Sequence, residues 1–499
     1  MRRAWMRELA GWTGALCVAL LTAAQVASSA RGELLFRDGD SLIVALIARS
    51  VLSGQPSDWA LSSVLFLPET AVFTGLDAAL GLGVNGLLAV NAVLNIVGLY
   101  GALRLVAGRR RADTAPVAWA LVGLVAFSLL AMTETSSSRD ALELASLQLT
   151  TTYYAATVVA VTLSVGLVRR VIDRATGGVG LLIGLGATAT VSTLSNPLYA
   201  AWATVPLSLL LGALALRSPR RLRMTTTLAV LLGATALGFV ARIPFAAWIA
   251  NTGAGYVQPG QWMQSSEYYA GLLADRVATP IGILGGLTVL ALLALAVFRT
   301  VQAEEPGARF VAAAAWVMPV LVAIGAVALG THAARYLQPL AFAPVLALVA
   351  MPRAWRMPRR IRALVAAAAA VLLVAAGAVG IPRLAAATGS ADPDLSCVTD
   401  WVNASGRTGA GQFWTVRLPK LHLDDPAQLV QVDHELNGYA WLVNRRDFDV
   451  GQVSFLVEDA QTVAWSLPSP AIPDEVIDCG RYRVLDFGET TLPIGPQRS

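Results

Sequence analysis

Residues 279–298 read TPIGILGGLTVLALLALAVF, twenty positions without a single charge. A helix of that length and composition is what a bilayer core about 30 Å thick requires at about 1.5 Å per residue. In lipid each backbone amide must find its partner inside its own segment. Ten more stretches read the same way, near 9–30, 84–107, 115–132, 152–168, 178–195, 198–216, 224–241, 310–330, 336–351 and 362–381. The chain of 499 residues is accordingly 56% hydrophobic and only 14% charged, against roughly 25% in an ordinary soluble domain. The expectation is a polytopic α-helical membrane protein with about eleven transmembrane helices.

Basic residues orient such a chain, because cytoplasmic loops retain Lys and Arg. With the amino terminus inside, the cytoplasmic segments hold MRRAWMR at 1–7, GRRR at 108–111, RRVIDR at 169–174, RSPRRLR at 217–223, Arg299, Arg309 and PRAWRMPRRIR at 352–362. An odd number of spans then puts the carboxyl terminus outside. The first span imitates a signal peptide, with MRRAWMRE, an apolar run and QVASSA, but its apolar part is long for that role. Residues 61–83 carry Pro68, Glu69 and Asp77 and are read as interfacial or re-entrant. Residues 41–52, apolar at 42, 43, 46 and 47, are read as an amphipathic helix on the outer surface. The external loop 31–83 thus belongs with a transmembrane portion at 1–382.

Residues 383–499 have the opposite balance, nine basic against sixteen acidic side chains, and are read as a small extracytoplasmic α/β domain. Its strand-like runs are QFWTVRL at 412–418, AQLVQV at 427–432, QVSFLVE at 452–458 and YRVLDF at 482–487, separated by Pro, Gly and Asp. Cys397 and Cys479 both fall there, where a disulfide could persist in an oxidising compartment. Cys17 lies inside the first span. All basic residues but Lys420 are Arg, the signature of a GC-rich, bacterial coding bias, so the net charge of +5 does not point to nucleic acid. No CxxC or HExxH string occurs.

Three external features carry candidate chemistry. RDGDS at 37–41 places Asp38 and Asp40 two residues apart beside the membrane, where carboxylates are costly unless solvated, paired or metal-bound. They could ligate Mg²⁺ or Mn²⁺, or one could act as a general base; the plain alternative is a hydrophilic turn. THAARYLQP at 331–339 offers Arg335, suited to a phosphate, with Tyr336 and His332; a snorkelling helix anchor is the plain reading. The loop 133–154 brings Glu134, Arg139, Asp140 and Glu143, and ends in Tyr153 and Tyr154, so it is either a cavity lining or a solvated loop. The spans hold almost no Asp, Glu, Lys or His, so a proton-coupled pump or ion channel lacks its side chains.

This order of a first span, an external D-x-D, interfacial helices, many further spans, a late external RYxxP and an external carboxyl-terminal domain resembles the GT-C class of membrane glycosyltransferases. That class includes protein O-mannosyltransferases and bacterial lipid-linked sugar transferases. SNPLY at 195–199 is similar to an SDPL element of bacterial members, with Asn196 in place of Asp; FWTVRL at 413–418 and CGRYRVLDF at 479–487 are further echoes. The resemblance implies a sugar donor on polyprenyl phosphate and an acceptor (glycan, lipid or protein) on the outer face of the cell membrane. It also implies inversion at the anomeric carbon. Asp38 or Asp40 would then take the acceptor's proton or help hold a cation, and Arg335 with Tyr336 would stabilise the departing lipid phosphate. Two other readings stay open: a non-catalytic membrane protein whose external domain binds envelope polymer or a partner, and a lipid-linked glycan flippase.

Overall fold

The computed structural model describes residues 2–174, 177–217, 221–354, 358–467 and 471–498. Residues 218–220 and 355–357, parts of two basic segments expected on the cytoplasmic side, lie outside them. The described chain is mostly helical, becomes strand-rich toward its carboxyl end, and divides into two compact units. The first comprises Met1–Gly32, Ala89–Ile243 and Ala254–Thr388; the second comprises Glu33–Leu88, Pro244–Gly253 and Gly389–Ser499. Nearly all of the loop 31–83 therefore clusters with the carboxyl-terminal region rather than with the long apolar helices.

In the first unit and at its edges, seven described helices are long and apolar enough to cross a membrane. They are Trp5–Ala27, Val84–Val106, Ala155–Ile172, Arg221–Val240, Pro280–Gln302, Pro306–Ala328 and Ala363–Thr388. Pro116–Met132, Val179–Ser195, Ala200–Leu216 and Ala334–Ala350 are apolar but shorter, so the structure establishes seven helices of spanning length where the sequence suggests eleven. The shortening has local causes. Asn196 ends its helix in an extended conformation, as the following Pro197 demands, and the chain restarts through a single π-helical turn at Ala200–Thr204. Pro339 and Pro344 lack amide donors, and the segment breaks into Ala334–Leu337, Pro339–Phe342 and Leu346–Ala350.

The first helix packs along Arg359–Thr388 and Pro116–Met132. A Cβ on Gly380 would lie 2.9–3.0 Å from the backbone of Leu20 and Leu21, and one on Gly377 would lie 3.1 Å from Cys17 Sγ. Small residues here let two backbones approach, the usual device of helix pairs in lipid. Cys17 is part of that contact.

In the second unit, seven strands form one mixed sheet: β1 (Gly409–Gln412), β2 (Leu429–Val432), β3 (Asn437–Tyr439), β4 (Phe455–Glu458), β5 (Glu475–Cys479), β6 (Tyr482–Asp486) and β7 (Gly495–Arg498). Their order is β7-β3-β2-β1-β4-β6-β5. Central β1 runs parallel to both β2 and β4, and Phe413–His422 is the helix that carries the chain from β1 to β2, as parallel neighbours require. The strand expected at 412–418 is thus a helix from Phe413 onward. The aromatic and β-branched run FWTV favours a strand locally, but the crossover and burial on the sheet decide otherwise: Thr415 through Leu421 are all buried. Trp59–Ala60 pairs with Val443–Asn444, and Leu61 exchanges backbone bonds with Trp248 and Ala250, which ties the three segments of the unit together.

The helix expected at 41–52 forms as Ile43–Leu52, but seven of its ten residues are buried. The run IVALIA is apolar on every side, so it sits inside the unit rather than lying on its surface. Residues 67–80 also form a helix, with Glu69 and Phe73 as its buried positions.

Candidate functional site

The Asp38–Asp40 loop belongs to the second unit. The amides of Arg37 and Asp38 both donate to the Glu33 carbonyl, at 2.9 and 2.8 Å. The Asp38 side chain then accepts from Ser41 N at 3.2 Å and Ser41 Oγ at 3.4 Å, closing a tight turn. Arg37 pairs with Glu33 at 2.8 Å and with Asp392 at 3.3 Å. Asp38 and Asp40 are half-buried and Gly39 is buried. The reason is the crossover helix: a Cβ on Gly39 would stand 3.1 Å from the Trp414 ring and 3.2 Å from that of Phe413. One turn along, Arg417 donates from Nε to the Gly39 carbonyl at 2.7 Å.

Arg417 is fully buried. Its Nη1 donates to Gln431 Oε1 at 3.4 Å and to the Leu442 carbonyl, and its guanidinium lies 5.0 Å over the Phe413 ring. Burial pulls its pKa down to about 10, opposed by the charges of Asp40, then Asp38 and Asp447. The only lysine, Lys420, sits on the same helix, buried, 2.9 Å from Asp447 and donating to the Pro426 and Leu429 carbonyls. Sequence reasoning missed both cations. Their signal was a basic pair three residues apart within an otherwise apolar run.

The second cluster lies in the first unit. Arg335, in the short turn Ala334–Leu337, donates from Nε to Tyr154 Oη at 3.3 Å. It stands 3.8 Å from Asp140, which itself lies 4.0 Å from Arg139. The Arg335 guanidinium is 5.8 Å over the Tyr336 ring. Exposed His332 rests on Tyr268, with ring centroids 5.5 Å apart. The backbone here is anchored by Gln338 Nε2 to the Tyr153 carbonyl at 2.7 Å and by Trp202 Nε1 to the Tyr336 carbonyl at 3.1 Å. The fold therefore brings the loop 133–154 and THAARYLQP, two stretches singled out separately, into one group. The Arg335–Asp140 pair is long and its acid half-exposed, so it is a loose pair that a stronger anion could displace.

Glu134 and Glu143 serve the loop's own architecture. Glu134 accepts from the amides of Ala145 at 2.9 Å and Ser146 at 2.7 Å. Glu143 accepts from Ser136 N at 2.7 Å and from Arg276 Nη1 at 2.5 Å. Arg31, 1% exposed, lies 3.8 Å from Glu134 and 3.6 Å from Glu143, and bonds Ser146 Oγ, the Ser136 and Ser138 carbonyls and the Glu143 carbonyl. Two buried acids and two arginines thus fold the loop. Burial holds the Glu134 carboxyl above its ordinary range, with Arg31 pulling it down.

The remaining candidates are placed as follows. Asn196 is buried; it donates to Thr157 Oγ1 at 2.9 Å and accepts from Leu198 N at 3.0 Å, so it shapes the break between two helices. Glu69 is buried in the first turn of its helix, where the dipole favours an acid. Cys397 and Cys479 form a disulfide that joins the helix Pro393–Ser405 to β5. Among the described residues no group of three or more His, Cys, Asp or Glu side chains comes together as a metal site. Asp38 and Asp40 would hold Mg²⁺ or Mn²⁺ only with oxygens from substrate and water, as Mg²⁺ is commonly held beside phosphates. Compared with known proteins, the chain matches no family model and no curated protein.

Proposed function

We propose that this chain is a multi-pass membrane glycosyltransferase. In this reading it moves a sugar from a polyprenyl-phosphate donor to a glycan, lipid or protein acceptor of the cell envelope, on the outer face of the cell membrane. The observation that carries the reading is the Arg335 cluster: a cation that donates to Tyr154, lies over Tyr336 and stands 3.8 Å from the half-exposed Asp140, in a unit built of apolar helices. That is a site for an anion presented by a lipid.

The topology proposed with it has eleven spans, amino terminus inside and carboxyl terminus outside. The four shorter apolar segments complete the count; at 17 residues, Pro116–Met132 and Val179–Ser195 each reach about 26 Å, a mismatch that a bilayer absorbs by local thinning. In the reaction, an acceptor hydroxyl attacks the anomeric carbon from the face opposite the phosphate. The new C–O bond forms as the bond to phosphate oxygen breaks. Asp40 or Asp38 takes the hydroxyl proton, and Arg335, helped by Tyr336, meets the charge that develops on the phosphate. A divalent cation, if held by the two carboxylates, would supply charge neutralisation.

The test is sugar transfer by the purified protein in proteoliposomes, using radiolabelled polyprenyl-phosphate hexoses and pentoses with envelope extract as acceptor. Asp40→Asn and Arg335→Met should each abolish transfer at normal abundance. Full activity in both would overturn the reading.

A further inference from the structure

The proposed reaction leaves unexplained why a fully buried arginine from the strand-rich region reaches the Asp38–Asp40 loop. Arg417 has three neutral acceptors, the Gly39 carbonyl, Gln431 Oε1 and the Leu442 carbonyl. Its Nη2 is buried with no hydrogen-bond partner among the described residues. Neutral acceptors do not cancel the charge of a cation removed from water. Three carboxylates bring their charge to it, Asp40 first, then Asp38 and Asp447; Asp447 is paired directly with Lys420 at 2.9 Å, and Asp40 and Asp38 flank the Gly39 carbonyl that Arg417 holds. The loop in turn is seated by Gly39, where a side chain would press on Phe413 and Trp414. These contacts come from the first turns of the crossover helix, at the carboxyl end of central β1. The sheet order changes direction there, between β2 on one side and β4 on the other, which is where open α/β sheets hold their functional groups.

We propose that Arg417 is the positioning residue of the Asp38–Gly39–Asp40 loop, so that the carboxyl-terminal region sets the place of the two carboxylates rather than being a separate acceptor-binding module. This rests on the reading of Asp38 and Asp40 as the reacting carboxylates. One arm of the guanidinium holds the loop backbone and the other is anchored in the sheet, so the two carboxylates take their place from a strand-rich region that begins some 370 residues later in the chain. Lys at this position keeps the charge but not the fork that spans both anchors.

The test is hydrogen exchange on the full-length protein in nanodiscs, read by mass spectrometry, beside the transfer assay. In Arg417→Met, the amides of residues 39–41 should exchange at least tenfold faster while those of β2 and β4 keep their protection; Arg417→Lys should restore part of the difference. Transfer should lose kcat while KM for the lipid donor stays unchanged. Should Arg417→Met fail to fold, Gly39→Val perturbs the seat from the other side and leaves the bonds to Gln431 and Leu442 in place. It should loosen residues 39–41 with the sheet still protected. The proposal is overturned if loop protection in Arg417→Met equals wild type. It is equally overturned if loop and sheet lose protection together in both Arg417→Lys and Gly39→Val, since the arginine would then only support the fold. If the wild type transfers no sugar, the proposed function fails while the exchange pattern still decides the role of Arg417.

Discussion

Replacing Arg31 with Met removes the centre of a buried charge network while keeping most of the side chain's volume. In the wild type its guanidinium bonds one hydroxyl and three carbonyls and stands between Glu134 and Glu143, both 5% exposed. In Arg31→Met, Glu143 keeps Arg276, but Glu134 loses the one cation beside it among the described residues. Breaking a buried pair by deleting one partner costs about 3–5 kcal/mol. At about 2 °C per kcal/mol for a large unit, the midpoint of heat inactivation in detergent should fall by about 8 °C. The pH dependence gives the sharper test. Glu134 has its carboxyl raised by burial, so its contribution to stability is full below the unfolded value and is lost as pH rises through the folded one. Without Arg31 that pKa rises further. The deficit of Arg31→Met should therefore be smaller at pH 5 than at pH 8, and Glu134→Gln in the same chain should recover part of it. Thermal inactivation followed by fluorescence-detected size exclusion measures this directly. An equal deficit at both pH values, or none, would refute the reasoning.

Other consequences follow from the same geometry. Asp140→Asn removes an anion that competes for Arg335, so KM for a polyprenyl-phosphate donor should fall severalfold; an increase would show that Asp140 orders the site instead. Arg335→Lys keeps the charge but not the planar donor set, and should lower kcat by about 10²-fold, read from initial rates in proteoliposomes. Changing Cys397 and Cys479 to Ser opens a link between residues 82 apart and should cost the strand-rich region about 4.5 kcal/mol by loop entropy. The measure is the protease concentration at which that region is cut in the otherwise intact protein; unchanged resistance would count against the link as a source of stability.

The helical stretches were legible because twenty apolar residues leave one structural choice in lipid. Where the choice depends on partners, the sequence says less. FWTVRLPKLH reads as a strand by local preference, yet forms a crossover helix whose Arg417 and Lys420 face inward. Only the pairing of β1 with both β2 and β4 explains that. IVALIA carried a helical signal, but not the information that every side of it would be covered. Asp38, Asp40 and Arg335 stood out as charges in an apolar setting. Arg31 and Arg276 were not singled out and prove to be loop-folding groups, because a buried charge serves architecture or chemistry according to how completely it is bonded. Tyr154 and Asp140, the neighbours of Arg335, lie nearly 200 residues before it, and a single sequence carries no sign of that meeting.

The central claim is tested most directly by following a radiolabelled sugar from polyprenyl phosphate to envelope acceptor in proteoliposomes, comparing the wild type with Asp40→Asn and Arg335→Met at matched abundance. The account predicts transfer by the wild type and a loss of at least a hundredfold in each variant. Transfer at wild-type rates in both variants, or none by the wild type across all hexose and pentose donors, would contradict it.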